Sequence, residues 1–203
     1  HFPPTEQSRQ NLLNEGISPQ TIKLTGNTVI DALLTVSNKI DSHSYEFETY
    51  FREKFNIQFN QQKTVLITGH RRENFGVRFE NICSAIKHIA ENNNVQVIYP
   101  VHLNPNVLET VSRILGKVDN VFLIQPQDYV PFILLMKKAH IVLTDSGGVQ
   151  EEAPSLGKPV LVMRDTTERP EGIEAGTAKL VGTDQKKIIS SVIVSMILMK
   201  IMY

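Results

Sequence analysis

From Lys63 onward the chain alternates short runs in which nearly every residue is apolar with longer stretches in which apolar residues recur every third or fourth position. The short runs predict strands at Thr64–Thr68, Val95–Val101, Val121–Ile124, His140–Thr144, Pro159–Met163 and Ala178–Val181. The longer stretches predict helices at Arg78–Glu91, Pro105–Leu115, Pro131–Lys138, Gly148–Leu156, a short one near Glu171–Ala175, and one from Asp184 onward. Phe79, Ile82, Ile86 and Ile89 form the buried stripe of the first. Asn104 before Pro105 gives the second an N-cap and a proline at the first helical position, where no N–H is needed. Strands that are apolar throughout must be covered on both faces. Alternating with helices, they argue for an α/β fold: a parallel sheet between two helical layers.

The first third lacks this rhythm. Thr5 caps a predicted helix over Glu6–Asn14 that Gly16 ends, Ile22–Thr25 reads as a short strand, and Gly26-Asn27 as a turn. Val29, Leu33, Val36 and Ile40 place a helix over Thr28–Ile40, and a further helix is predicted over Glu46–Phe55. A polar Asn/Gln-rich connector follows, and a domain boundary is expected within residues 41–62, with 1–60 and 61–203 as the two parts. The run from Ile188 to Tyr203 is apolar but includes three Ser and a Lys, short of the ~18 to 20 uninterrupted residues of a membrane span; it reads as an end helix with a wide apolar face. An abrupt start without Met and this apolar end lead us to expect internal positions of a longer protein at both termini.

Charge changes the picture by exclusion. Lys plus Arg equal Asp plus Glu at 21 each, so no overall field favours a nucleic acid or an anionic membrane. The single Cys83 falls on the apolar stripe of its helix and reads as a packed thiol; with no signal segment, a cytoplasmic setting is expected. The six His are scattered without zinc spacing, no Gly-x-Gly-x-x-Gly follows the first strand, and no phosphate-loop Gly-Lys-Ser/Thr string occurs. No metal and no cofactor are expected.

The candidate chemistry lies at the strand ends. After the run Ile141–Thr144, the stretch Asp145-Ser146-Gly147-Gly148 makes a turn that restarts as a helix. The first N–H groups of such a helix point outward at the positive end of its dipole, Gly147 and Gly148 allow a close approach, and Ser146 adds a hydroxyl: a cradle for an anion. Glu152, four residues beyond Gly148, projects from the same helical face one turn deeper. A carboxylate there repels phosphate but accepts hydrogen bonds from sugar hydroxyls, and the pair suggests a nucleotide. In parallel sheets the loops after the strands open on one edge, which gathers residues 69–74, 102–104, 125–129, 145–148 and 164–169. His70, Arg71, Arg72 and Arg169 would then surround the cradle with positive charge suited to a diphosphate. Phe132, beside Pro131, is placed either in the core or against a base. Taken singly, the same residues also read as a tight turn, a surface ion-pair patch, a His102 that caps the next helix, and a charged loop.

Four strings, Gly69–Asn74, Tyr99–Pro105, Thr144–Pro154 and Arg164–Glu171, with shorter ones at His1–Thr5 and Thr25–Asp31, resemble the non-hydrolysing UDP-N-acetylglucosamine 2-epimerases, in family order from His1 to about Lys187. The resemblance implies two Rossmann-like domains in the GT-B arrangement, of which this chain looks like the C-terminal one plus the end of the first. It implies that Ser146, Gly147 and Gly148 hold the diphosphate of UDP-N-acetylglucosamine or UDP, Glu152 the ribose, Gln127 and Phe132 the uracil neighbourhood, and His70, as catalytic residue, and Arg169 the diphosphate and sugar side. Arg71 and His102 resemble positions of a second, regulatory site. The family reaction inverts C2 by loss and re-addition of UDP, with acid/base carboxylates in the N-terminal domain. Ser191–Tyr203 do not resemble the family's last segment. Hence the chain alone is expected to be a nucleotide-binding half with little epimerase activity, from a protein whose relatives are commonly homodimers. The alternatives are a hydrolysing relative, a GT-B glycosyltransferase, against which His70–Asn74 speaks, and a UDP-binding module without turnover.

Overall fold

The computed structural model describes residues 1–202, with side-chain surroundings through Leu198. Six strands, β1 (Lys63–Thr68), β2 (Val95–Pro100), β3 (Val121–Ile124), β4 (Ile141–Thr144), β5 (Val160–Val162) and β6 (Ala178–Leu180), form one sheet in the order β3-β2-β1-β4-β5-β6. Every neighbouring pair is parallel. After β3 the chain returns across the sheet to lay β4 beside β1, so the winding reverses between these two strands. In the β1/β4 register Thr68 lies opposite Thr144.

The apolar run of each strand is divided by its pleat between two cores. Val65, Ile67, Val97, Tyr99, Leu143 and Leu161 face α4 (Val77–Asn92), α5 (Pro105–Leu115) and α9 (Gln185–Met202). Leu66, Ile98, Val142, Val160 and Val162 face α2 (Thr28–Ser42), α3 (Ser44–Phe55), α6 (Tyr129–Lys138) and α7 (Gly147–Ser155). Leu33, Ile40, Phe51, Ile57 and Phe59 are buried in this second core with Ile133–Met136, so residues 28–59 are built onto the sheet. Lys137 ties α6 to α2 by donating to the carbonyl and hydroxyl of Ser37 and to the carboxylate of Asp41.

Three local expectations are corrected. Ile22–Thr25 is no strand: Pro19–Thr21 make a 3₁₀ turn, and Lys23 and Thr25 donate their N–H groups to the carbonyls of His1 and Pro3, away from the sheet. Helix α6 begins at Tyr129, because Pro131 falls in a first turn whose N–H groups need no intrahelical acceptor. Helix α2 continues past Ile40 to Ser42. Helix α1 (Glu6–Asn14) is capped by Thr5 as expected, with no buried residue, and α8 (Pro170–Glu174) is the predicted short helix.

In α9, Ile188 and Val192 are buried against α4, while Val194, Ile197 and Leu198 are half exposed. The side chains of residues 199–203, the end of the predicted apolar run, lie outside the described ones. Among the described residues no helix is long and apolar enough to cross a membrane. Cys83 is fully buried, and burial pushes its thiol up to about 12.

Candidate functional site

The site grows from the facing ends of β1 and β4. Thr68 and Thr144 touch hydroxyl to hydroxyl at 2.5 Å, and Thr144 also accepts the N–H of Ser146 at 2.9 Å. Beyond Thr68, Gly69 passes so close to its neighbours that a Cβ would stand 3.2 Å from the Tyr99 hydroxyl and 3.3 Å from Met163. That hydroxyl donates to the Gly69 carbonyl at 2.6 Å. The loop after β1 is then folded onto Asp145. Its Oδ2 accepts the N–H groups of His70 (2.9 Å) and Arg71 (2.8 Å) and the Asn74 amide (3.4 Å), and its carbonyl accepts from Arg71 Nε at 3.2 Å. Asp145 is wholly buried, and three N–H donors converging on one oxygen suit a carboxylate.

Helix α7 starts directly behind Asp145 with Ser146 as an extended N-cap whose hydroxyl makes no capping bond. The N–H groups of its first turn have no intrahelical partner. Nothing lies within 4 Å of where a Cβ on Gly148 would stand; at Gly147 Arg71 Nη2 is 3.8 Å away. A cleft of roughly 350 Å³ opens in front, and Ser146, Gly148 and Glu152 form its α7 wall, as the four-residue spacing predicts. His70, His102, Gln127 and Phe132 come from the loops after β1, β2 and β3 and from α6. Glu152 is 8% exposed, and the Tyr129 hydroxyl donates to it at 3.2 Å. Burial raises the Glu152 carboxyl above its ordinary value, opposed by the Tyr129 bond and aided by Glu151. The rings of His70 and His102 stack at 4.9 Å and 10°. His102 also accepts the Asn104 N–H at Nδ1, so it serves the local turn as well as the cleft. Gln127 is held by the Tyr50 hydroxyl at 3.2 Å and by the Gln125 carbonyl.

The arginines around the site are paired with carboxylates. Arg169 pairs with Glu151, which also accepts from Asn27 at 2.6 Å, and Arg71 lies 3.8 Å from Glu168. Arg164, 6% exposed, bridges Glu73 (2.8 Å) and Glu168 (2.5 Å), which locks the loop after β5 against the loop after β1. The Arg164 hydrogen bond, ahead of other causes, holds Glu168 down to about 2. Sequence reasoning missed Asp145 as an anchor, although a carboxylate directly after a buried strand is a signal that it must find donors. Tyr129 was placed at the same edge but without its bond to Glu152, and Tyr50, 77 positions from Gln127, gave no signal.

Sheet order and loop placement define a Rossmann-like α/β domain whose cleft lies at the topological switch point, where open sheets of this class receive ligands. The sequence profile of the UDP-N-acetylglucosamine 2-epimerases matches residues 1–197, and the chain belongs to that family. It is similar to the UDP-N-acetylglucosamine 2-epimerase of Salmonella typhimurium, 58% identical over 193 residues, 95% of this chain and 51% of that protein. The Escherichia coli enzyme is 57% identical over the same shares. Among solved structures, the UDP-GlcNAc 2-epimerase from Neisseria meningitidis bound to UDP-GlcNAc superposes with a TM-score of 0.88 at 51% identity, over 95% of this chain and 52% of that one. The Methanocaldococcus jannaschii enzyme, in complex with UDP-GlcNAc and UDP, gives 0.79 at 35%, over 96% of this chain and 53% of that one. The chain thus spans about half the length of the curated relatives it matches, and the α/β, Rossmann-like expectation holds.

Proposed function

We propose that this chain supplies the nucleotide-binding half of an isomerase, a UDP-N-acetylglucosamine 2-epimerase that converts UDP-N-acetylglucosamine to UDP-N-acetylmannosamine. One observation carries the reading: the unhindered start of α7 opens into a cleft that Glu152 enters one turn deeper and His70 enters from the loop after β1. Ser146, Gly147 and Gly148 receive the diphosphate, Glu152 the ribose hydroxyls, Gln127 and Phe132 the uracil side, and Arg169, once drawn from Glu151, the sugar side. Breaking the anomeric C–O bond loads negative charge onto the departing UDP, which the α7 dipole and His70 stabilise. Proton transfer at C2 falls to carboxylates of the N-terminal half of such enzymes. In the whole two-domain GT-B protein, residues 1–60 are the end of the first domain and the linker, with α2 and α3 folded onto the second. The regulatory role of Arg71 and His102, a homodimer, and a cytoplasmic setting belong to the same proposal.

Calorimetric titration with UDP tests the binding half, with one site per chain expected; a folded chain that takes up no UDP refutes it. With the N-terminal half of the Salmonella relative supplied in trans, product NMR in D₂O should show UDP-N-acetylmannosamine with deuterium at C2. Free N-acetylmannosamine would mean hydrolysis instead.

The raised Glu152 carboxyl adds a pH dependence. Only its ionised form accepts from both ribose hydroxyls, so binding favours the charged state and strengthens as pH rises through the raised value. UDP-N-acetylglucosamine is the probe, because its phosphates are diesters without the second ionisation near ~6 of a monoester. Measured from pH 8 down to 5, the affinity of the wild-type chain should fall relative to that of Glu152→Gln, which is the weaker of the two at pH 8. Parallel curves would remove Glu152 from the site.

A further inference from the structure

We propose that Asp145 is a positioning residue for His70: its buried Oδ1 holds the proton of Nδ1, turns Nε2 into the cleft, and favours the doubly protonated ring when an anion binds there. The two oxygens of Asp145 have different surroundings. Oδ2 accepts from the His70 and Arg71 N–H groups and from Asn74, while Oδ1, equally buried, has no hydrogen-bond partner. A buried carboxylate oxygen without a donor is an unmet demand. The group facing it is His70 Nδ1, 3.9 Å away, within ion-pair range and about 1 Å beyond a hydrogen bond.

The surroundings restrict how that gap closes. The His70 N–H is held by the same carboxylate, so the backbone carrying the ring is fixed relative to Oδ1. The His70 ring lies parallel to that of His102 and lines the cleft, with its Nδ1 on the Asp145 side. His102 does not compete for the carboxylate, since its own Nδ1 accepts from Asn104. The charged and titratable groups that the structure places at His70 are Asp145 behind it, His102 on its face, Arg71 next to it in the chain, and Glu152 in the same cleft. An imidazole whose one nitrogen donates to a carboxylate has its tautomer and orientation set by that bond. With both nitrogens protonated, Nδ1–H serves Asp145 and Nε2–H is offered to an anion at α7.

Asp145→Asn tests this without deleting the anchor, because the amide oxygen can still accept the two backbone N–H groups. Its NH₂ then occupies the Oδ1 position, donates to Nδ1, and forces the neutral ring's proton onto Nε2. The readout is the pair of ring ¹⁵N shifts of His70, with His102 as internal reference and a melting curve to show that the variant is folded. First, without ligand, the neutral ring should carry its proton on Nδ1 in the wild-type chain and on Nε2 in Asp145→Asn. Identical shifts in the two chains would overturn the proposal, leaving Asp145 a tie between loops. A wild-type ring protonated on Nε2 overturns it as well, even if the variant does not fold. Second, with UDP, the wild-type ring should hold both protons and the variant one, with affinity about tenfold weaker in the variant. This step rests on the nucleotide-binding reading above. A folded wild-type chain that binds no UDP would refute that reading, while the ligand-free comparison still decides the Asp145 proposal.

Discussion

Gly148→Asp is expected to leave the fold intact and to weaken UDP binding at least a hundredfold, about 2.7 kcal/mol. The two halves of that expectation have separate causes. Gly148 takes no left-handed backbone conformation, and a Cβ built on it has nothing within 4 Å, so the new side chain meets no clash. An Asp in the first turn of α7 also interacts favourably with the helix dipole, by about 0.3–1 kcal/mol, so the melting temperature should hold or rise slightly. The same carboxylate fills the space where a phosphate would approach and opposes it by charge. Gly148→Ala adds only a methyl group and should cost tenfold or less. Titration calorimetry with UDP, paired with melting curves of the three chains, measures both parts. Unchanged affinity in a folded Gly148→Asp chain would move the diphosphate away from α7.

The largest stability loss is expected for Phe79→Ala. Phe79 is 1% exposed on the inner stripe of α4, packed with Ile82 and Ile86 against the sheet, and its ring lies 3.7 Å from where a Cβ on Gly69 would stand. Removing the ring sacrifices its burial and leaves a cavity between helix and sheet that the neighbours fill only partly, at about 3–5 kcal/mol. In a chain of this size each kcal/mol lowers the melting temperature by about 2–4 °C, so a fall on the order of 10 °C should be seen. Urea unfolding should show a lower midpoint with an unchanged slope. Val77, on the same helix but 72% exposed, is the control, and Val77→Ala should change stability by less than about 0.5 kcal/mol. Equal effects at the two positions would rule out the packing of Phe79 between α4 and the sheet.

Much of this was legible from the chain because it is local. Strands β1, β2 and β4 are apolar on both faces, and such runs have few other stable settings than the middle of a covered parallel sheet. The stripe Phe79-Ile82-Ile86-Ile89 and the Asn104-Pro105 start needed only helical geometry to be read. Ile22–Thr25 failed for the complementary reason: alternation of apolar and polar residues describes any extended segment, and a strand also needs a neighbour, which the partners His1 and Pro3 do not supply from the sheet.

The site divides in the same way. The strand-to-helix turn at Ser146–Gly148 and the placement of Glu152 one turn further along the same cleft are consequences of a strand ending, a turn and a helical period, and they could be read from the chain alone. So could the shared edge of the strand-end loops. What each polar group faces was decided by the tertiary structure alone. Asp145 meets His70 across 75 positions, Tyr50 meets Gln127 across 77, and Asn27 meets Glu151, the carboxylate that also pairs with Arg169, across 124. The physical reason is the range of the forces that spell out a pattern. Backbone geometry and hydrophobic periodicity act within a few residues and leave their mark on spacing, whereas a buried carboxylate takes whichever donor the fold brings to it.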